Sequence, residues 1–145
     1  MIFLLKIILT IIITNSLVIP NCVTFNLDLS DFDDIPEGNW IVNANGSWNN
    51  WGGGINLEDI NNDNIFTITD CSFSNGEYQF VYTITGDFDN WSGWGLMGQP
   101  PLGSDCDFNP NDNYQNYGFE IENNDIVLET HKWDCCGLDN CSNWE

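Results

Sequence analysis

From Val23 to Leu29 the chain alternates apolar and polar residues without a break: Val23-Thr-Phe25-Asn-Leu27-Asp-Leu29. Successive side chains on a strand point to opposite faces, so this run predicts a strand with Val23, Phe25, Leu27 and Leu29 turned to a core. Further strand signals recur. Trp40-Ile41-Val42-Asn43 follows the turn Ile35-Pro36-Glu37-Gly38, and Ile55 and Leu57 mark a short strand. Residues 65–69 and 78–84 read as neighbouring strands joined through Ser74-Asn75-Gly76. Residues 117–122 and 126–128 read as a hairpin around Asn123-Asn124-Asp125. No window keeps a helical period. Short strands separated by Asn, Gly and Asp turns predict an all-β, antiparallel β-sandwich. Residues 90–116 depart from this rhythm, being rich in Gly, Pro, Asp, Asn and Trp. A loop of that length in a compact domain is functional or pinned, and Cys106 is the expected pin.

The first residues change the picture of where this sandwich resides. A short segment carrying Lys6 precedes an almost wholly apolar run from Ile7 to Thr14. That is the pattern of a secretory signal, too short for a membrane span of ~20 apolar residues. Residues 1–22 are therefore read as the signal and 23–145 as one sandwich domain. The cut fits either after Ser16 or near Cys22, and Ile19-Pro20-Asn21-Cys22 faintly resembles a lipoprotein signal. A secreted location agrees with six cysteines in a small chain, which predict disulfides. Cys135 and Cys136 are adjacent and should take different partners among Cys71, Cys106 and Cys141, in a disulfide-pinned C-terminal tail. Loss of Cys22 with the signal would leave one thiol odd.

Charge narrows the partners. The formal net charge is −20, and Lys6 and Lys132 are the only basic residues. Nucleic acid is excluded in practice, because no cations are available to neutralise phosphates. Anionic membranes and acidic polysaccharides are disfavoured for the same reason. A neutral polysaccharide meets no such penalty.

The stretch Asn45-Gly46-Ser47-Trp48-Asn49-Asn50-Trp51-Gly52-Gly53-Gly54 carries the clearest candidate chemistry. On an extended backbone Trp48 and Trp51 point to opposite faces, so one belongs to the core and the other to the surface. An exposed indole beside Asn amides suits a sugar ring, whose C–H face packs on the indole while its hydroxyls bond to the amides. The plainer explanation buries both rings.

Four segments in order, residues 23–30, Asn45-Gly46-Ser47-Trp48-Asn49-Asn50-Trp51, Asp59-Ile-Asn61-Asn62-Asp63-Asn64-Ile65-Phe66-Thr67 and Asn75-Gly76-Glu77-Tyr78-Gln79-Phe80, resemble the immunoglobulin-like α-glucan-binding modules. These include the glycogen-binding domain of AMP-activated kinase β-subunits and secreted modules of bacterial polysaccharide-degrading enzymes. The resemblance covers residues 23–94 and, more loosely, the tail. It implies an immunoglobulin-like sandwich that stacks glucose on Trp51 and Trp91, with Trp48 inward. Trp94 is a third candidate platform, and Asn49, Asn50, Gln79 and Asn90 are candidate hydrogen-bonding partners. Gln79 stands where the family carries a ligand-contacting Lys, and Asn replaces the Asp-Gly turns.

Other constellations have simpler explanations. Asp59, Asn61, Asp63 and Asp70 fit the spacing of a calcium loop. However, Asn64 replaces the usual Gly and a strand rather than a helix follows, so a turn is expected and no cofactor is assigned. His131 with Cys135, Cys136 and Cys141 matches no common zinc spacing. The carboxylate pairs Glu58/Asp59 and Glu120/Glu122 are ordinary on so acidic a chain, and the lone His lacks a serine motif. The expected function is therefore non-catalytic binding of a neutral glucan. The alternative is an extracellular structural or self-assembling protein that turns the aromatic edge of the same sandwich to a neighbouring copy; an odd thiol would strengthen it by cross-linking chains. Sequons stand at Asn45, Asn90 and Asn140, and modification of Asn45 or Asn90 would partly block the glucan face.

Overall fold

The computed structural model describes residues 20–138, 140 and 141; most of the expected signal lies outside them. The strands in chain order are β1 (Asn21–Asp28), β2 (Trp40–Gly46), β3 (Ile55–Leu57), β4 (Ile65–Phe73), β5 (Gly76–Gly86), β6 (Leu96–Gly98), β7 (Tyr117–Ile121), β8 (Ile126–Val127), β9 (His131–Lys132), β10 (Cys135–Cys136) and β11 (Asn140–Cys141). Single 3-10 turns at Ser47–Asn49 and Asp87–Asp89 are the only helical pieces among the described residues. The fold is all-β.

Two sheets enclose the core. In one, β1 lies between β4 and the short strands β8 and β9; in the other the order is β3-β2-β5, with β6 and β7 both on the far edge of β5. β1 buries Val23, Phe25 and Leu27 as its alternation requires, and Leu29 just beyond its end continues the buried face. Opposite them β5 buries Phe80, Tyr82 and Ile84, and β7 buries Tyr117, Phe119 and Ile121. Phe25 sits at the centre, with ring centroids 5.2 Å from Phe80, 5.8 Å from Phe119 and 5.6 Å from Trp48.

Both expected hairpins are instead crossings between sheets. β4 pairs with β1 while β5 pairs with β2, β6 and β7. Likewise β7 pairs with β5, but β8 pairs with β1, and does so in parallel. Alternation marks an inward face on each strand, and that pattern is the same whether two strands pair or straddle the core. The two crossing turns are latched together by side-chain amides. Asn75 Nδ2 donates to Asn123 Oδ1 (2.7 Å), and the Asn123 N–H donates to Asn75 Oδ1 (2.9 Å). The antiparallel expectation also gains exceptions in β8 and β9, both parallel to β1.

Disulfides join Cys22–Cys71, Cys106–Cys136 and Cys135–Cys141, leaving no free cysteine. Cys135 and Cys136 do take separate partners, and Cys106 pins the long segment. Cys22 bears on the boundary expected after residue 22. It lies within β1, and a chain beginning at Val23 would lack the bridge to Cys71.

Candidate ligand-binding groove

β2 and β5 are antiparallel neighbours, and each runs into a loop that folds back over the outer face of its sheet. The loop at 47–54 leads into β3 and the loop at 87–95 into β6. Both begin at a glycine where no side chain fits. A Cβ on Gly46 would lie 2.1 Å from the Trp48 ring, and one on Gly86 would lie 2.1 Å from the Asn39 carbonyl oxygen. Each then makes a 3-10 turn and two successive left-handed residues: Asn50 and Trp51 at φ 56° and 61°, Asn90 and Trp91 at φ 56° and 58°. The Trp N–H closes each turn on the glycine carbonyl, at 3.0 Å for Trp51 and 2.9 Å for Trp91.

Trp48 and Trp51 therefore diverge, although not by the alternation of an extended strand. The turn sends Trp48 inward against Phe25, Phe73 and Phe80. Trp51 stays outside, half-buried rather than fully exposed, with its ring centroid 6.3 Å from that of Trp94 and the planes inclined at 41°.

Trp94 is held from beneath. The Asp89 carboxylate accepts from the Gly86 N–H, the Thr85 hydroxyl and the Ser92 hydroxyl, and Ser92 Oγ accepts from the Trp94 N–H (3.0 Å). Burial opposes ionisation of Asp89, but the bonds from Gly86, Ser92 and Thr85 outweigh it and hold its pKa well below the usual carboxylate range. Asn45 fastens the same loop to the sheet, donating from Nδ2 to Thr83 Oγ1 (2.7 Å) and to the Gly93 carbonyl (3.2 Å).

Trp51 and Trp94 form one wall of a groove of about 560 Å³, floored by Gln79, Val81 and Met97 and closed by Gln99, Asp112, Tyr114 and Asn116. Its amides are partly committed. Gln79 Oε1 accepts from Asn116 Nδ2 (2.9 Å), and Gln99 Nε2 donates to the Gln115 carbonyl (3.1 Å). Among the described residues no hydrogen bond engages the Gln79 amide hydrogens, Gln99 Oε1 or Asn116 Oδ1, so the lining holds both spare donors and spare acceptors beside an aromatic wall. The Asp112 carboxylate accepts from Asn109 Nδ2 and the Tyr114 N–H, which shapes the turn that presents Tyr114.

Of the residues singled out from the sequence, Trp51, Trp94 and Gln79 meet in this groove. Asn49 does not reach it: its side chain bonds to the Gly53 carbonyl and the Gly52 N–H within its own loop. Asn50, Asn90 and Trp91 are also absent from its lining. Gln99, Tyr114 and Asn116 escaped sequence reasoning because they lie in or beside the long irregular segment, where no period marks a face. Asn45 is 1% exposed and bonded, so its sequon offers no acceptor in the folded chain.

The calcium spacing is a turn. The Asp59 carboxylate accepts from the Asp63 and Asn64 N–H groups, Asn61 Nδ2 donates to Asp63, and Asp70 caps the Ser72 N–H within β4. Cys135, Cys136 and Cys141 are committed to disulfides, which removes them as zinc ligands. His131 is a core residue. Burial lowers its pKa to about 4, and its ring packs against that of Tyr117, with centroids 4.4 Å apart and planes inclined at 44°.

No protein-family model matches this chain, and no curated protein is similar to it in sequence.

Proposed function

We propose that this protein is a secreted, non-catalytic carbohydrate-binding module that takes a neutral glucan in the Trp51–Trp94 groove, on an immunoglobulin-like sandwich. The observation that carries this reading is the meeting of two indoles and three side-chain amides in one open groove. Indole faces pack on the C–H faces of sugars, and amides with spare donors and acceptors match hydroxyls, which are both. The net charge of −20 turns away polyanions and leaves neutral chains unopposed. The one carboxylate lining the groove, Asp112, is engaged in its own turn, which favours binding over hydrolysis. Three disulfides belong to an oxidising, extracellular-type environment. No helix among the described residues is long and apolar enough to cross a membrane. With Cys22 retained, all six cysteines are paired and none is left for cross-linking between chains.

The test is calorimetric titration with maltoheptaose, cellohexaose and laminarihexaose. One of them should bind with Kd in the ~micromolar to millimolar range typical of small, wet interfaces. Trp51→Ala should weaken groove binding about 10-fold or more, as loss of a central aromatic anchor does. If the parent binds none of the three, the glucan reading is wrong.

A further inference from the structure

The two tryptophan loops are one structure used twice. Cross-strand partners of β2 and β5 include Trp40↔Gly86, Asn43↔Thr83 and Gly46↔Phe80. Adding 40 to a β2 position gives its β5 counterpart, and the pair Asn43↔Thr83 maps onto itself. A local twofold axis therefore passes through that pair, normal to the sheet. The match extends to single bonds. The Gln79 N–H donates to Ser47 Oγ at 3.0 Å, and at the equivalent place the Asn39 N–H donates to Asp87 Oδ2, also at 3.0 Å. The operation that carries the groove residues Trp51, Gln79, Val81 and Met97 across the axis lands on Trp91, Asn39, Ile41 and Asn56; β3 and β6 keep equivalent registers through Asn43↔Asn56 and Thr83↔Met97.

Trp91 is not merely a relic of the repeat. It is 48% exposed, yet its ring is pinned: Nε1 donates to Asp87 Oδ1 (3.0 Å). The other Asp87 oxygen accepts from both the N–H and the Nδ2 of Asn39. A bulky residue is strained in the left-handed region, where Gly or Asn would sit at less cost. An exposed aromatic ring that is both strained and oriented contributes little to folding but is pre-organised for a ligand.

We propose that Trp91, with Asn39 and Asn56, forms a second carbohydrate-binding site on the same sheet face, so that one chain engages two glycan segments and can bridge neighbouring polysaccharide chains. This rests on the glucan reading of the groove. Gly93 and Gly54, which follow the two tryptophans, keep both loops close to the sheet: the Gly93 N–H donates to Thr85 Oγ1, and a Cβ on Gly54 would meet Asn43. The sites are not identical. The second has no counterpart to the Trp94 wall, because that segment is one residue longer than its mate, and it is the weaker of the two.

Calorimetry with whichever of maltoheptaose, cellohexaose or laminarihexaose binds should give about two sites per chain, falling to about one in Trp91→Ala and in Trp51→Ala. Trp91→Gly relieves the backbone strain and should lose the same site with no drop in melting temperature. Binding at one site that Trp91→Ala leaves unchanged would overturn the second site while sparing the groove. Failure of the parent to bind any of the three would overturn both.

Discussion

His131 and Trp51 illustrate how burial decides what a side chain does. His131 is the lone histidine, and it lines a cavity with Tyr117, Glu129 and Asp105 without a bond to Nδ1. Its pKa is lowered by burial from 6.5 to about 4. Above the unfolded value both states are neutral at this residue. As pH falls from 6.5 towards 4, the unfolded chain takes up a proton that the folded chain refuses, so stability declines over that window by up to about 3 kcal/mol. Urea titrations between these pH values should show the slope in the parent and its loss in His131→Phe; an equal slope in both would contradict the account. Trp51 is the converse case. Its half-buried ring leans on another ring rather than on the core, which leaves a face for a ligand.

At the scale of elements, the loop at 87–95 depends on one carboxylate. Asp89 gathers Gly86, Thr85 and Ser92, and through Ser92 it sets Trp94. Asp89→Ala should therefore weaken glucan binding while the sandwich stays folded. The check is a red-shifted tryptophan emission with an unchanged far-ultraviolet spectrum; binding equal to the parent would show that the loop is set by other means. Strands were legible in the sequence where alternation was strict, as from Val23 to Leu29, because a buried face imposes period two. Pairing was not legible. A tight turn such as Ser74–Asn75 joins strands of one sheet or of two, and long-range partners such as Asn123 decide which. Half of the groove was equally hidden. Trp51, Trp94 and Gln79 are conspicuous by type or motif, but Gln99 and Asn116 acquire meaning only once β5 brings β6 and β7 to the same edge.

For the whole molecule, the sandwich supplies a rigid floor and the disulfides fix its margins. Cys106–Cys136 ties the segment behind the groove to the tail, and the Asp134 carboxylate next to that bridge accepts from the Gln99 N–H (2.9 Å). The groove is thus pre-formed by covalent and hydrogen-bonded supports, which limits the ordering that binding must impose. The indoles and amides proposed to meet the sugar are uncharged, and the one lining carboxylate, Asp112, is engaged in its own turn, so affinity for a glucan should depend little on salt. The measurement that tests this account most directly is chemical-shift mapping of the isotope-labelled protein with the oligosaccharide that binds. The account predicts perturbations at the indole N–H of Trp51 and Trp94 and at the side-chain amides of Gln79, Gln99 and Asn116. Perturbations that avoid this set, or none at saturating oligosaccharide, would contradict it.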